Sequence, residues 1–209
     1  MYPITFINLF WKRDFTLYNI KEYTSIIRER LSDYRFYHSL CVAESAKMLA
    51  KRYGANEEKA EVAGILHDVM KESTTEEQLE MIEKAGMTIT PLEKSQKKFY
   101  HQISGAAYAK AVLKLDDTEI LDAIRYHTTG RADMTLMDEI VYLADFISAD
   151  RDYTDVDVMR RKVEESKEQG LLYATSYTIR SVTEKGSILH PDTVNAYNWI
   201  ITKYFNTGK

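Results

Sequence analysis

Residues that break helices or form turns are scarce in this chain, which has only 8 glycines and 3 prolines among 209 residues. A fold built from many strands needs frequent turns, and Gly and Pro are the residues that such turns usually carry. The scarcity therefore favours helices. Hydrophobic residues make up 44% of the sequence and charged residues 29%, which is ordinary globular usage and excludes a disordered chain.

Apolar residues recur at helical spacing along most of the sequence. Val42, Ala46 and Leu49 follow His38 at offsets of four, eight and eleven, so that all lie on one face of a helix. Comparable stripes predict helices over about 35–53, 57–70, 76–85, 101–115, 117–127, 136–148, 155–169, 173–185 and from 191 onward. Residues 89–100 are predicted to be a loop. Strand patterns are weak, so we predict an all-α helical bundle with a buried metal site.

The length fits one domain, and no repeat or linker divides the sequence. We predict a single domain over 21–209, preceded by an extension of unknown role over 1–20 that does not resemble a signal peptide. No apolar run is long enough to cross a membrane. The net charge of -4 provides no basic field for nucleic acid, and the single cysteine, Cys41, fits a reducing cytoplasm. We therefore expect a cytoplasmic protein that binds neither nucleic acid nor a membrane.

Four of the five histidines lie on or at the end of an apolar stripe, where a lone histidine is usually a core residue. The pair His67-Asp68 differs, because a buried carboxylate is costly unless it is paired or binds a metal. Two nitrogen and two oxygen donors suit a divalent ion such as Fe, Mn, Co, Ni or Zn. The predicted metal ligands are His38, His67, Asp68 and Asp145. His101 and His127 either complete a second metal site bridged by Asp68 or contact phosphate.

Five stretches of sequence are more specific to one protein family than the order of the predicted ligands along the chain. They are RFYHSLCVAESAKMLAKRYG (35–54), AGILHDVMK (63–71), ILDAIRYHTTG (120–130), VYLADFISADR (141–151) and HPDTVNAYNWI (190–200). Over about residues 20–205 the sequence resembles the YqeK family of HD-superfamily phosphohydrolases. It departs from that family at Cys41, where Gly is common, and at Ser148-Ala149, where Glu-Pro is usual.

The resemblance implies a bacterial hydrolase that splits diadenosine tetraphosphate symmetrically into two ADP molecules. It implies one or two divalent transition metal ions, with iron favoured, on the four predicted ligands. Catalytic roles are predicted for Asp68, His101 and His127, with Asp68 orienting water and a histidine contacting the leaving oxygen or a second ion. The predicted nucleotide-binding residues are Arg35, His38, Asp68, Lys71, His101, His127, Thr128, Asp145 and Arg151. Lys71 is equally well explained as a solvated lysine at a helix end.

Three alternatives stand beside this interpretation. One is an HD phosphohydrolase of a mononucleotide or a cyclic nucleotide, and another is a non-catalytic nucleotide sensor that retains a structural metal. The third, histidines that only pack in the core without metal, is the least favoured. The complete ligand set favours turnover over sensing. A homodimer is one arrangement that the sequence leaves open.

Overall fold

The computed structural model describes residues 17–206, and within that range it contains helices and no β-strand, which confirms the predicted all-α fold. Residues 1–16 of the predicted N-terminal extension lie outside the described part. The helices are α1 (Ile20–Arg30), α2 (Asp33–Tyr53), α3 (Glu57–Leu66), α4 (Thr75–Lys84), α5 (Pro91–Lys94), α6 (Tyr100–Ala111), α7 (Thr118–Tyr126), α8 (Leu136–Ile147), α9 (Val156–Glu165), α10 (Lys167–Glu184) and α11 (Pro191–Ile200). None of the described helices is long and apolar enough to cross a membrane.

Local capping explains where several helices begin and end. Ser32, Asn56 and Thr135 each accept a hydrogen bond from a backbone N–H in the first turn of α2, α3 and α8, respectively. These side chains satisfy donors that have no partner within the helix. Gly54 ends α2 with a φ of 77°, a left-handed conformation that glycine adopts without steric cost. The ends of the helices that carry the candidate ligands are therefore set by nearby residues.

The helix boundaries differ from the prediction in several places, of which the following bear on the fold. Helix α3 ends at Leu66, because the chain turns through the next few residues instead of remaining helical to residue 70. The helix predicted over 155–169 ends at Glu165, since Ser166 is extended and caps α10. The predicted loop over 89–100 contains α5 and a short 3-10 helix, and the sequence pattern did not predict α1.

Two glycines allow the helices around the candidate site to pack closely. A Cβ atom at Gly64 of α3 would lie 2.5 Å from the Cα of Ala43 in α2, so these two backbones are in direct contact. A Cβ atom at Gly105 of α6 would lie 3.2 Å from the carbonyl oxygen of His67. Helices α2 and α6 thus approach the end of α3 from two sides. This packing places the His67-Asp68 turn at the centre of the bundle.

Candidate metal and phosphate site

The predicted ligands come from separate helices that converge at the end of α3. His38 lies in α2, His67 is the C-cap residue that directly follows α3, and Asp145 lies in α8. Asp68 occupies the turn that follows α3. His101, at the start of α6, and His127, directly after α7, lie beside this group. Relative exposure is 4% or less for His38, His67, Asp68, His101 and His127. A cluster of ionisable groups this well buried requires a compensating partner.

Two overlapping groups of side chains could each hold a metal ion. One contains His38, His67 and Asp145, and the other contains His67, Asp68 and His127, with one donor atom of each member within 4.8 Å of the others. The structure thus brings the four predicted ligands together and places His127 with them. His101 lies just outside, with its Nε2 3.7 Å from Asp68 Oδ1. The arrangement is compatible with either one or two ions.

Hydrogen bonds fix the histidine rings so that a free nitrogen faces the cluster. His67 Nδ1 lies 2.7 Å from the Gly64 carbonyl oxygen, and His127 Nδ1 lies 2.8 Å from that of Ile124. Because a carbonyl can only accept, each Nδ1 carries the hydrogen and each Nε2 offers a lone pair. His67 Nε2 and Asp68 Oδ1 are buried without a hydrogen-bond partner among the described residues. Buried acceptors that converge without donors are what a cation site requires.

The separations between donor atoms also fit a metal ion. His38 Nε2 is 3.1 Å from Asp145 Oδ1, while His67 Nε2 is 3.6 Å from Asp68 Oδ2 and 4.0 Å from Asp145 Oδ1. Metal bonds of about 2.0–2.2 Å separate neighbouring ligands by about 3 Å and opposite ones by about 4 Å. Imidazole and carboxylate donors suit a divalent transition metal. The residues present therefore fit such an ion.

The protonation states of His67, Asp68 and Asp145 favour metal binding. Burial lowers the pKa of His67 to about 4, so its imidazole is neutral at physiological pH. Burial alone would raise the pKa of Asp145, but the charge of Arg151 holds that pKa well below its usual range. Burial alone would also raise the pKa of Asp68, but the charge of Lys71 helps to hold that pKa well below its usual range. Neutral imidazoles and ionised carboxylates are the forms that bind metal.

Asp150 also supports the site, although it was not among the predicted residues. Its Oδ2 lies 2.8 Å from His38 Nδ1, and its Oδ1 accepts a hydrogen bond of 2.7 Å from the Ser148 hydroxyl. A carboxylate on the outer nitrogen of a metal-binding histidine orients the ring and raises its basicity. Ser148, one of the departures from the family pattern, thus has a structural role. The only signal in the sequence was the position of Asp150 next to Arg151.

We expect Asp150→Ala to weaken metal binding by roughly 10- to 100-fold, because His38 would lose the partner that orients its ring. The measurement is competition with a chelator for the metal. Asp152→Ala is a matched control, since Asp152 is exposed and lies two residues further along the same loop. Equal metal affinity in the wild type and Asp150→Ala would contradict the role assigned to Asp150.

Cationic side chains surround the candidate ligands. Arg35 Nη1 is 3.0 Å from Asp68 Oδ2, and Arg151 forms an ion pair with Asp145 and donates from Nε to the Asp145 carbonyl oxygen at 2.7 Å. Both arginine side chains remain 26% exposed, so they can also meet a ligand from solvent. Planar guanidinium groups match phosphate oxygens geometrically. The two predicted arginines therefore contact different carboxylates of one site, Arg35 that of Asp68 and Arg151 that of Asp145.

A third cation, Lys71, lies on the side of the site formed by α6. Its Nζ is 2.9 Å from His101 Nε2, which is also 3.0 Å from the Thr128 hydroxyl. Burial and the charge of Lys71 hold the pKa of His101 well below its usual range, so the ring is neutral and its Nε2 can accept a hydrogen bond from the Lys71 ammonium. Lys71 thus faces the cluster, which favours the phosphate-binding interpretation over that of a solvated lysine.

Comparison with known proteins gives a consistent picture. Residues 35–150 match the HD domain family. The chain is 34% identical over 184 residues to a symmetrical bis(5'-nucleosyl)-tetraphosphatase of Bacillus subtilis, covering 88% of this chain and 98% of that protein. It is 32% identical over 181 residues to the protein of the same name from Halalkalibacterium halodurans, covering 84% and 94% of the two chains.

A solved structure is also similar. The crystal structure of a Clostridium acetobutylicum protein, described as a predicted HD superfamily hydrolase involved in NAD metabolism, superimposes with a TM-score of 0.85 at 33% sequence identity. The match covers 89% of this chain and 98% of that one. The similarity therefore extends over nearly the whole of both chains.

Proposed function

This chain belongs to the YqeK family of HD-domain proteins, and we propose that it is a metal-dependent hydrolase that cleaves diadenosine tetraphosphate symmetrically into two ADP molecules. The observation that carries the proposal is the buried pair of unpartnered acceptors, His67 Nε2 and Asp68 Oδ1, enclosed by cationic side chains. The names of the Bacillus and Halalkalibacterium relatives supply the substrate. The mononucleotide and sensor alternatives have no comparable support.

We propose that His38, His67, Asp68 and Asp145 hold the metal and that His127 contributes to a second position. The two overlapping groups of donors, which share His67, support this assignment. Iron is our proposal for the metal, because the resemblance to the YqeK family implies it, and mixed imidazole and carboxylate donors can bind it. Such an ion acts as a Lewis acid that polarises a phosphoryl oxygen and lowers the pKa of water.

The cations of the site would hold the tetraphosphate across the cluster. Arg35 and Arg151 lie on the Asp68 side and the Asp145 side, respectively. A tetraphosphate carries charge along its whole length, so its phosphates can engage both arginines at once. Positive charge placed where negative charge develops lowers the barrier to attack on phosphorus. The spread of cations thus supports a long polyphosphate as substrate.

In the proposed reaction, a water oxygen forms a bond to one of the two inner phosphorus atoms. The bond from that phosphorus to the oxygen between the two inner phosphates breaks, and the second ADP leaves with this oxygen. Asp68 Oδ1, which has no hydrogen-bond donor within residues 17–206, is placed to orient the water. Lys71, held 2.9 Å from the neutral His101, is placed to donate to the leaving phosphate oxygen. Each ADP retains two phosphates, as symmetrical cleavage requires.

Product analysis tests the proposal. The purified protein, with its metal content measured, is incubated with diadenosine tetraphosphate and with a panel of mononucleotides, and the products are separated by chromatography. We expect ADP as the sole nucleotide product from the dinucleotide and slower hydrolysis of the panel. Formation of AMP and ATP would mean asymmetric cleavage. Rapid hydrolysis of a mononucleotide without turnover of the dinucleotide would overturn the proposed substrate.

A further inference from the structure

A cavity of about 230 Å³ opens beside the metal cluster, between the start of α6 and the segment that joins α10 to α11. At its inner end are Lys71, His101 and Thr128, which form the hydrogen-bonded group described above. The cavity therefore begins at the phosphate-binding side chains and leads away from the metal ligands. Anything bound in it would be connected directly to the phosphates.

The outer part of this cavity is apolar. Phe99, Val182, Ile188 and Leu189 line it. Phe99 is buried and its ring packs edge-on against His190 at a centroid distance of 4.7 Å, which holds the ring in place. Ile188 is 42% exposed and lines the cavity, so its apolar side chain is accessible to a ligand. The far end of the cavity thus suits a flat, weakly polar group.

The segment that closes the cavity is held in position by the opposite wall. Lys98 Nζ donates a hydrogen bond of 2.8 Å to the carbonyl oxygen of Ile188, which links the start of α6 to the α10–α11 connection. The two walls are therefore joined across the outer edge of the cavity. A preformed pocket that is apolar at one end and polar at the other is typical of a small-molecule site.

We propose that this cavity binds one nucleoside of the dinucleotide, with the base against Phe99, Val182 and Ile188 and the attached phosphates at Lys71 and His101. The inference rests on the proposed function and assigns the substrate-selecting surface of the same site. The volume of about 230 Å³ is below the roughly 300 Å³ at which pockets for drug-sized ligands begin, so the cavity can take at most one nucleoside of the dinucleotide. The second nucleoside then lies outside this cavity.

The residues proposed to contact the nucleoside can be tested by comparing the binding of a ligand that contains a nucleoside with that of a ligand that contains only phosphates. The ligands are ADP and inorganic tripolyphosphate, and binding to the metal-loaded protein is measured by titration calorimetry. Val182→Trp fills the cavity and should weaken ADP binding about tenfold or more while leaving tripolyphosphate binding nearly unchanged. Ile188→Ser, at an exposed position that tolerates substitution, should weaken ADP binding by a smaller factor.

Val112→Trp is the matched control, because Val112 is exposed at the far end of α6. It should bind both ligands like the wild type. Unchanged ADP binding in both Val182→Trp and Ile188→Ser would overturn the inference, as would equal losses of ADP and tripolyphosphate. Turnover of diadenosine tetraphosphate by the wild type is read separately. If that turnover is absent but the variants still lose ADP binding and keep tripolyphosphate binding, the proposed reaction is wrong, whereas the assignment of the cavity to a nucleoside is supported.

Discussion

Asp68→Ala is expected to yield a folded protein that has lost its metal and at least about a thousandfold of its hydrolytic activity. Asp68 Oδ1 faces His127 and His101 at 3.6 and 3.7 Å, and its Oδ2 lies 3.6 Å from His67 Nε2. No other carboxylate among the described residues occupies this central position. Its removal takes away both a proposed ligand and the group that orients water, and loss of a metal-activated water costs several orders of magnitude in rate. Elemental analysis and the rate of ADP formation are the measurements.

Two further variants separate loss of the ligand from loss of the fold. Asp68→Asn keeps the shape of the side chain but removes the charge that compensates Arg35 and Lys71, and it should also lose metal. Asp116→Ala removes an exposed aspartate before α7 and should keep metal and activity. Thermal unfolding of each variant reports on the fold. A wild-type protein that contains no metal and keeps full activity after chelation would refute the metal-dependent mechanism.

Arg151→Ala should lower kcat/KM for diadenosine tetraphosphate roughly 5- to 150-fold. This corresponds to an increase of about 1–3 kcal/mol in the activation free energy. The expected loss is smaller for a generic phosphoester, because a single phosphate can be held without reaching Arg151. The guanidinium is partly exposed beside Asp145, and its Nη2 lies 3.4 Å from His38 Nε2. It therefore borders both the metal ligands and the solvent from which the substrate enters. Steady-state kinetics on the two substrates provide the measurement.

The comparison needs controls because Arg151 also forms an ion pair with a proposed ligand. Arg151→Lys keeps the charge and loses the planar fork, so it should recover part of the activity. Arg161→Ala removes an exposed arginine on α9 and should behave like the wild type. An equal loss on both substrates would contradict the role in phosphate binding and indicate that Arg151 acts by holding Asp145.

Several features of the site could be predicted because they depend on neighbours in sequence. The stripe of Val42, Ala46 and Leu49 is fully buried, as its spacing indicated, and His38 lies on the same buried side of α2. The sequence also predicted that the His67-Asp68 pair is part of a metal site, because a carboxylate next to an imidazole at the end of an apolar helix is costly to bury without a charged partner. The helix ends were less predictable, because Ser166 ended one helix and began another within a stretch that has continuous helical spacing.

The sequence alone determined the helical fold, the chemical types of the ligands and the cations that accompany them, because helical spacing and residue chemistry are local properties. Tertiary structure decided which of these groups meet. Asp150 reaches His38 across 112 positions of sequence, and Lys71 reaches His101 across 30. These contacts depend on how closely the helices approach, as where Gly64 allows α3 to touch α2 at Ala43. The apolar cavity likewise exists only because α6, α10 and the start of α11 close around one space.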